Sequence, residues 1–124
     1  MHELSICQGL LLQVAEIALN NGAKAVERIV IEVGPLSGIE PTLLARAFEF
    51  TRSGSCAAHA ELAIETTQVT VSCMVCGAES RTVPNRLLCG DCGGFRTRIV
   101  AGDELRLRRV ELRALEWQPA PAAA

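Results

Sequence analysis

Four of the six cysteines in this chain fall into two pairs of the same form. The stretches "CMVCG" (Cys73–Gly77) and "CGDCGG" (Cys89–Gly94) together read C-x2-C-x12-C-x2-C. Each Cys-x-x-Cys turn can chelate one ion from a tight loop. Two such turns, supplying Cys73, Cys76, Cys89 and Cys92, complete a tetrahedron of sulfur, the geometry of a closed structural zinc site. Gly77 and Gly93, each following the second cysteine of a pair, permit positive φ and let backbone N–H groups turn toward the sulfurs. Four thiolates leave no open position for water or substrate, so the site reads as structural rather than catalytic. About 30 residues are too few to build a core alone, and zinc–thiolate binding supplies on the order of 10–16 kcal/mol of folding free energy. A four-cysteine iron–sulfur site is the alternative reading of the same donors.

A second set of potential ligands opens the chain, in "MHELSIC". The α-amine of Met1, the amide nitrogen of His2 and the His2 imidazole can surround one ion, and Glu3 adds an amide or a carboxylate. Ni(II), with eight d electrons, favours a square-planar set of nitrogen ligands, as does Cu(II). Amine and imidazole titrate near neutrality, at about 7.7–8.0 and 6.5, so binding at such a site weakens in acid. From spacing alone, a histidine at position 2 is more often a solvated residue, and intrinsic affinity favours copper over nickel.

The remaining candidates have plainer readings. Cys7 lies on an apolar helical stripe and reads as a small core residue. Cys56 and His59 form a C-x2-H with no second pair nearby, which suits ordinary loop residues. Arg106, Arg108, Arg109 and Arg113 mark the solvated face of a strand, with partner docking as the alternative.

The elements that must position these groups are written in the periodicity. Leu4, Cys7, Leu11, Val14 and Ala18 recur at helical spacing, and Ser5-x-x-Gln8 is a capping-box pattern. The pattern predicts a helix from Ser5 to Asn20, with Met1, His2 and Glu3 just outside its positive end and Asn21-Gly22 stopping it. "VERIVIEVG" predicts a half-buried strand with Ile29, Ile31 and Val33 on one face. Pro41 opens a second helix with Leu44, Ala47, Phe48 and Thr51 inward, and Gly54 ends it. "AELAIETTQVTVS" predicts one further strand. "GDELRLRRVELRAL" predicts a last long one, whose apolar parity switches between Leu107 and Val110 and so calls for a bulge near Arg108-Arg109. The expected class is α+β: a small three-stranded sheet packed by two helices, with a four-cysteine zinc-ribbon-like domain inserted before the last strand. The expected boundaries are 1–69 plus 101–117 for the α/β domain, 70–100 for the zinc domain, and 118–124 for a disordered tail.

Composition narrows the function. In 124 residues there are three Phe, one Trp and no Tyr, and the net charge is −2, which disfavours a nucleic-acid surface. No apolar run reaches 18 residues and the amino terminus lacks a basic leader, so neither a membrane span nor a signal peptide is expected. Cysteines kept as metal ligands fit a cytoplasmic protein. Charge is unevenly spread, with acids in excess before residue 73 and arginines in excess from there to residue 113.

"MHELSI", "EVGPLSGIEPTLLARAF" (32–48), the paired Cys-x-x-Cys and "GDELRLRRVEL" together resemble the hydrogenase maturation nickel metallochaperone family HypA (HybF type), from Met1 to about Leu115. The resemblance implies a non-enzymatic protein with an α/β nickel-binding domain and a zinc domain. Carried over by position, Met1, His2 and Glu3 match the nickel-binding terminus, and Cys73, Cys76, Cys89 and Cys92 match the zinc ligands. It also implies Ni(II) as transported cargo, a HypB-type GTPase and the immature [NiFe]-hydrogenase large subunit as partners, and a monomer or homodimer. The chain departs from the family pattern at Gly90, where proline is frequent, and at His59, where glycine is usual.

Overall fold

The computed structural model describes residues 2–113, and of His2 the backbone alone. Helix α1 (His2–Asn20) buries Cys7, Leu10, Val14 and Ala18 along one stripe. It starts three residues earlier than the Ser5–Gln8 pattern predicts, so His2 and Glu3 lie inside its first turn and not outside it. Glu3 complements the positive end of the helix there. Leu4 and Ile6 are already partly covered, so winding continues through the capping-box residues, and Ser5 stays exposed. The far end closes as expected: Gly22 takes φ 66°, and the Ala23 N–H reaches back to the Ala18 carbonyl at 2.9 Å.

Strand β1 (Ala25–Val33) is the centre of the first sheet. Helix α2 (Pro41–Thr51) carries the chain across to β2 (Glu61–Thr66), which pairs with β1 in parallel, Arg28 opposite Glu61 through Val33 opposite Thr66. Glu40 caps α2 by accepting from the Leu43 N–H at 2.9 Å, with Pro41 in the first turn. On the other side of β1 lies β6 (Leu105–Arg113), antiparallel. The register skips Arg108 between Leu107 and Arg109, which is the bulge that the parity switch predicts. A second irregularity, at Glu27, has no such sequence sign. Ile29, Ile31 and Val33 join Val14, Leu44 and Phe48 in the core beneath the two helices.

β1 is buried more fully than a strand with one open face. Val30, on the face away from the helices, is 2% exposed. Charges pair around the same strands: Glu32 receives Arg106 at 2.6 Å and Arg108 at 3.7 Å, Arg108 also meets Glu65, and Arg109 meets Glu111 at 3.1 Å. Arg106 and Arg108 of the arginine-rich second half are thus met across the sheet by glutamates of the first.

The β-rich stretch after α2 is two strands, not one. β2 ends at Thr66, and β3 (Val69–Cys73) belongs to a second sheet, of order β4-β3-β5, with β4 (Glu79–Thr82) and β5 (Thr97–Ala101) antiparallel to it. The break is tertiary in origin: the Thr67 N–H donates to the Val33 carbonyl at 3.1 Å, and its hydroxyl donates to Glu104. Between β5 and β6, Gly102 takes φ 118° and its carbonyl accepts from the Leu36 N–H at 2.7 Å. Ala114 to Trp117 and the expected tail 118–124 lie outside the described residues.

Candidate metal centre

Two turns of the same construction hold the cysteines. Cys73 is the last residue of β3; its N–H donates to the Ala78 carbonyl and its own carbonyl accepts from the Gly77 N–H, at 2.9 and 3.0 Å. Cys89 repeats both bonds with Gly94 and Gly93, at 2.9 Å each. Gly77 and Gly93 take φ 77° and 74°, the left-handed conformation that the sequence assigned to them. Each turn then points two N–H groups at its first sulfur: Val75 and Cys76 at Cys73 Sγ, Asp91 and Cys92 at Cys89 Sγ, all at 3.4 Å.

The structure brings the four sulfurs together. Cys73 Sγ lies 3.6 Å from Cys92 Sγ, Cys76 Sγ lies 3.6 Å from Cys89 Sγ, and all four fall within 4.8 Å of one another. A tetrahedral ion with metal–sulfur bonds of about 2.3 Å holds neighbouring sulfurs about 3.8 Å apart, so the cluster fits one thiolate-bound cation. Cys73 and Cys89 are buried, while Cys76 and Cys92 face solvent. Backbone N–H groups of Cys76 and Val75 hold the Cys73 thiol down at about 6, and those of Cys92 and Asp91 lower Cys89. The Ala78 N–H favours the Cys76 thiolate, but hydrogen bonding to Cys89, desolvation and the other two sulfurs outweigh it, and Cys76 is pushed up to about 12. Cys92 is also raised: the Gly94 N–H opposes this, and the contacts with Cys73 and Cys89 together with desolvation prevail. The first sulfur of each turn is thus biased toward the thiolate, and the second toward the thiol whose proton a cation displaces.

Contacts around the turns were not legible in the motif. The Gly90 N–H donates to Ser80 Oγ at 2.8 Å, tying the second turn to β4 with a donor that proline lacks. Cys7 is buried as expected, its thiol donating to the Leu44 carbonyl at 3.5 Å. Burial raises its pKa, the Thr51 hydrogen bond lowers it, and the charge of Glu3 raises it again. Cys56 is partly buried and His59 exposed in the loop before β2. Among the described residues, neither joins a group of three or more potential ligands. Of the amino-terminal set, Met1 lies outside the described residues, His2 contributes its backbone to the first turn of α1, and Glu3 is partly buried there.

Residues 1–112 match the family described as hydrogenase/urease nickel incorporation, metallochaperone, hypA. The hydrogenase maturation factor HypA of Aquifex aeolicus is 41% identical over 112 residues, 90% of this chain and 97% of that one. The HypA of Nitrosospira multiformis is 43% identical over the same share of each. The solution structure of the Ni metallochaperone HypA from Helicobacter pylori superposes with a TM-score of 0.67 at 28% identity, over 90% of this chain and 97% of that one. With an α+β fold, a four-cysteine metal-binding site set into it before the last strand of the first sheet, and relatives matching nine-tenths of its length, the chain belongs to the HypA family of nickel-incorporation metallochaperones and is a maturation factor, not an enzyme.

Proposed function

We propose that this protein takes up Ni(II) at its amino terminus and helps insert it into the immature [NiFe]-hydrogenase large subunit, with a structural Zn(II) held by Cys73, Cys76, Cys89 and Cys92. The observation that carries the zinc assignment is the convergence of four sulfurs within 4.8 Å, a donor set that leaves no position open for chemistry. Zinc there supplies cross-linking between the two turns, and the residues around it orient the sulfurs through N–H bonds. The proposed division is 1–69 plus 101–117 for the nickel-binding unit and 70–100 for the zinc unit.

Nickel is cargo, and its ligands are assigned to Met1, His2 and Glu3. The family match includes residues 1–3, so all three residues of the assignment lie within the matched stretch. The first-turn position of His2 and Glu3 supports it physically: N–H groups of a first turn have no intrahelical acceptor, so a metal can displace their protons without breaking the helix. Amine, amide and imidazole nitrogens make the square-planar set that Ni(II) favours. The proposed partners are a HypB-type GTPase and the large-subunit precursor, in the cytoplasm, for a monomer or homodimer. The family description spans hydrogenase and urease, and the curated relatives named above as hydrogenase maturation factors favour hydrogenase as the client.

The test is calorimetric titration of zinc-loaded protein, with a native amino terminus, by Ni(II) beside His2→Ala. One nickel per chain, lost in the variant while zinc stays bound, supports the assignment. Equal binding in both proteins refutes it and moves the search to Cys56 and His59.

A further inference from the structure

The two sheets treat their arginines differently. On the first, Arg28, Arg106, Arg108, Arg109 and Arg113 each lie within 4.0 Å of a glutamate. In the inserted unit, Arg81, Arg86, Arg96 and Arg98 are exposed, and none of their side chains meets a carboxylate among the described residues. Three of these four share one face. Arg81 stands opposite Thr70 and Arg98 opposite Ser72, on either side of β3. The Met74 N–H donates to the Arg96 carbonyl at 2.8 Å, which continues the ladder and sets Arg96 one pleat beyond Arg98 on the same side. We infer that this face docks an extended acidic segment of a partner protein, whose carboxylates at alternate positions meet Arg96 and Arg98. The inference goes beyond the nickel and zinc assignments and needs only the folded unit.

Strand parity leaves the face open. Val69, Val71 and Cys73 point the other way and are buried there. The second metal turn and the chain leading into it cover that opposite side, where Ser80 Oγ accepts from the Gly90 N–H and the Thr97 hydroxyl donates to the Leu87 carbonyl, at 2.8 and 2.7 Å. Thr70 and Ser72 are only partly covered, and no residue of the second sheet joins the core beneath the helices. Glu79 lies in line with Arg98 across Ser72 and makes no ion pair with it, so the arginines stay available. Alternate residues of an extended chain stand about 7 Å apart, the spacing of Arg96 and Arg98. Met74, 67% exposed, adds an apolar contact beside the charges, and methionine with arginine is the mixture that protein interfaces favour. A phosphate backbone is the poorer fit. Glu79, Asp91 and the charge of four thiolates on a divalent ion offset the four arginines, so attraction is local, arginine by arginine, with no broad positive field.

The probe is a fluorescent peptide of alternating Glu and Thr, titrated with the zinc-loaded full chain at low salt and read by anisotropy. It should bind, more weakly as salt rises, and the same peptide with Gln in place of Glu should not. Arg98→Glu should lower the affinity about tenfold. Arg46→Glu, the same change of charge at an exposed position of α2, should leave it unaltered. Zinc content and far-ultraviolet circular dichroism should be those of the unsubstituted protein in both, and Arg96→Glu carries the same test if Arg98→Glu loses zinc. No binding by the unsubstituted protein overturns the inference, as do equal binding of the Gln peptide and equal losses in Arg98→Glu and Arg46→Glu. A single-stranded oligonucleotide that binds more tightly than the peptide and is released by Arg98→Glu also overturns it, in favour of nucleic acid. A dimer that dissociates in Arg98→Glu overturns it in favour of a second copy of the chain.

Discussion

Gly34 and Gly102 meet backbone to backbone where the two sheets join: a Cβ on Gly34 would lie 2.2 Å from the Gly102 carbonyl oxygen. The contact lets the end of β1 and the turn into β6 share bonds, with the Gly34 N–H donating to the Glu104 carbonyl at 2.8 Å and the Leu36 N–H to the Gly102 carbonyl. Gly34→Ala must push these segments apart, and the expected cost is about 2–3 kcal/mol. Gly9→Ala is the contrasting variant. Its Cβ meets nothing within 4 Å on α1, so it should stabilise by about 0.5–1 kcal/mol. Thermal melts of the two zinc-loaded variants should move in opposite directions.

The same joint contains a carboxylate with a pH signature. The Gly102 N–H and then the Thr67 hydroxyl hold the Glu104 carboxyl below the usual carboxylate range. A depressed folded pKa stabilises above the unfolded value of about 4.3 and loses that contribution as pH falls through the folded one. Glu104→Gln should therefore cost about 1 kcal/mol at neutral pH, and the difference between the two proteins should vanish in acid. Both proteins lose metal on the way down, so the quantity to follow is their difference in denaturant midpoint at each pH.

Zinc uptake should be visible as protons. Cys73, lowered to about 6, is largely ionised at neutral pH and Cys76, raised to about 12, is not; Cys89 is shifted down and Cys92 up. Binding at pH 7 should release at least two protons per zinc, those of Cys76 and Cys92, and affinity should fall as pH drops and the other sulfurs protonate too. Titrations in buffers of differing ionisation enthalpy measure the proton count directly. Cys76→Ser should bind more weakly and release fewer.

On the open face of the first sheet, Glu32 is the shared acceptor of two arginines and its side chain is only 14% exposed. Glu32→Gln keeps the shape and removes the charge between Arg106 and Arg108. The expected loss is about 1–2 kcal/mol, smaller at high salt because the arginines are largely exposed. Arg113→Ala, whose pairing with Glu27 spans 3.4 Å between exposed groups, should change stability by less than about 0.5 kcal/mol. Urea denaturation at low and high salt separates the two cases.

Where a local residue decides the conformation, the sequence was sufficient: Gly22 for the end of α1, Pro41 for the start of α2, Gly77 and Gly93 for the metal turns, and the parity switch for the bulge at Arg108. It was insufficient where a distant partner decides. "ETTQVTV" holds no glycine or proline to announce that β2 and β3 enter different sheets; the break comes from Val33 and Glu104, far away in the chain. β4 and β5 were not legible because segments of four and five residues carry little periodicity and gain their register from β3. The capping box at Ser5 failed for the converse reason, a good local signal overridden by apolar spacing that continues to Leu4. The four sulfurs were legible as a set, whereas the Ser80 hydroxyl that braces Gly90 was not.

The pairing of β3 with β5 places Thr70 opposite Ala101, so the inserted unit begins and ends at one spot. That bears on the order of folding events. Ala25 must find Arg113 across most of the sequence, and the entropy of such a closure grows with the length of free chain between the partners. Once the metal turns have drawn 70–101 into a closed unit, the stretch separating β2 from β6 is short, and the last strand arrives almost as a local neighbour. Metal availability then sets a rate as well as an equilibrium: refolding monitored at β6 should slow when a chelator is present from the start. The same chelator added after the strand has docked should leave the elapsed kinetics untouched.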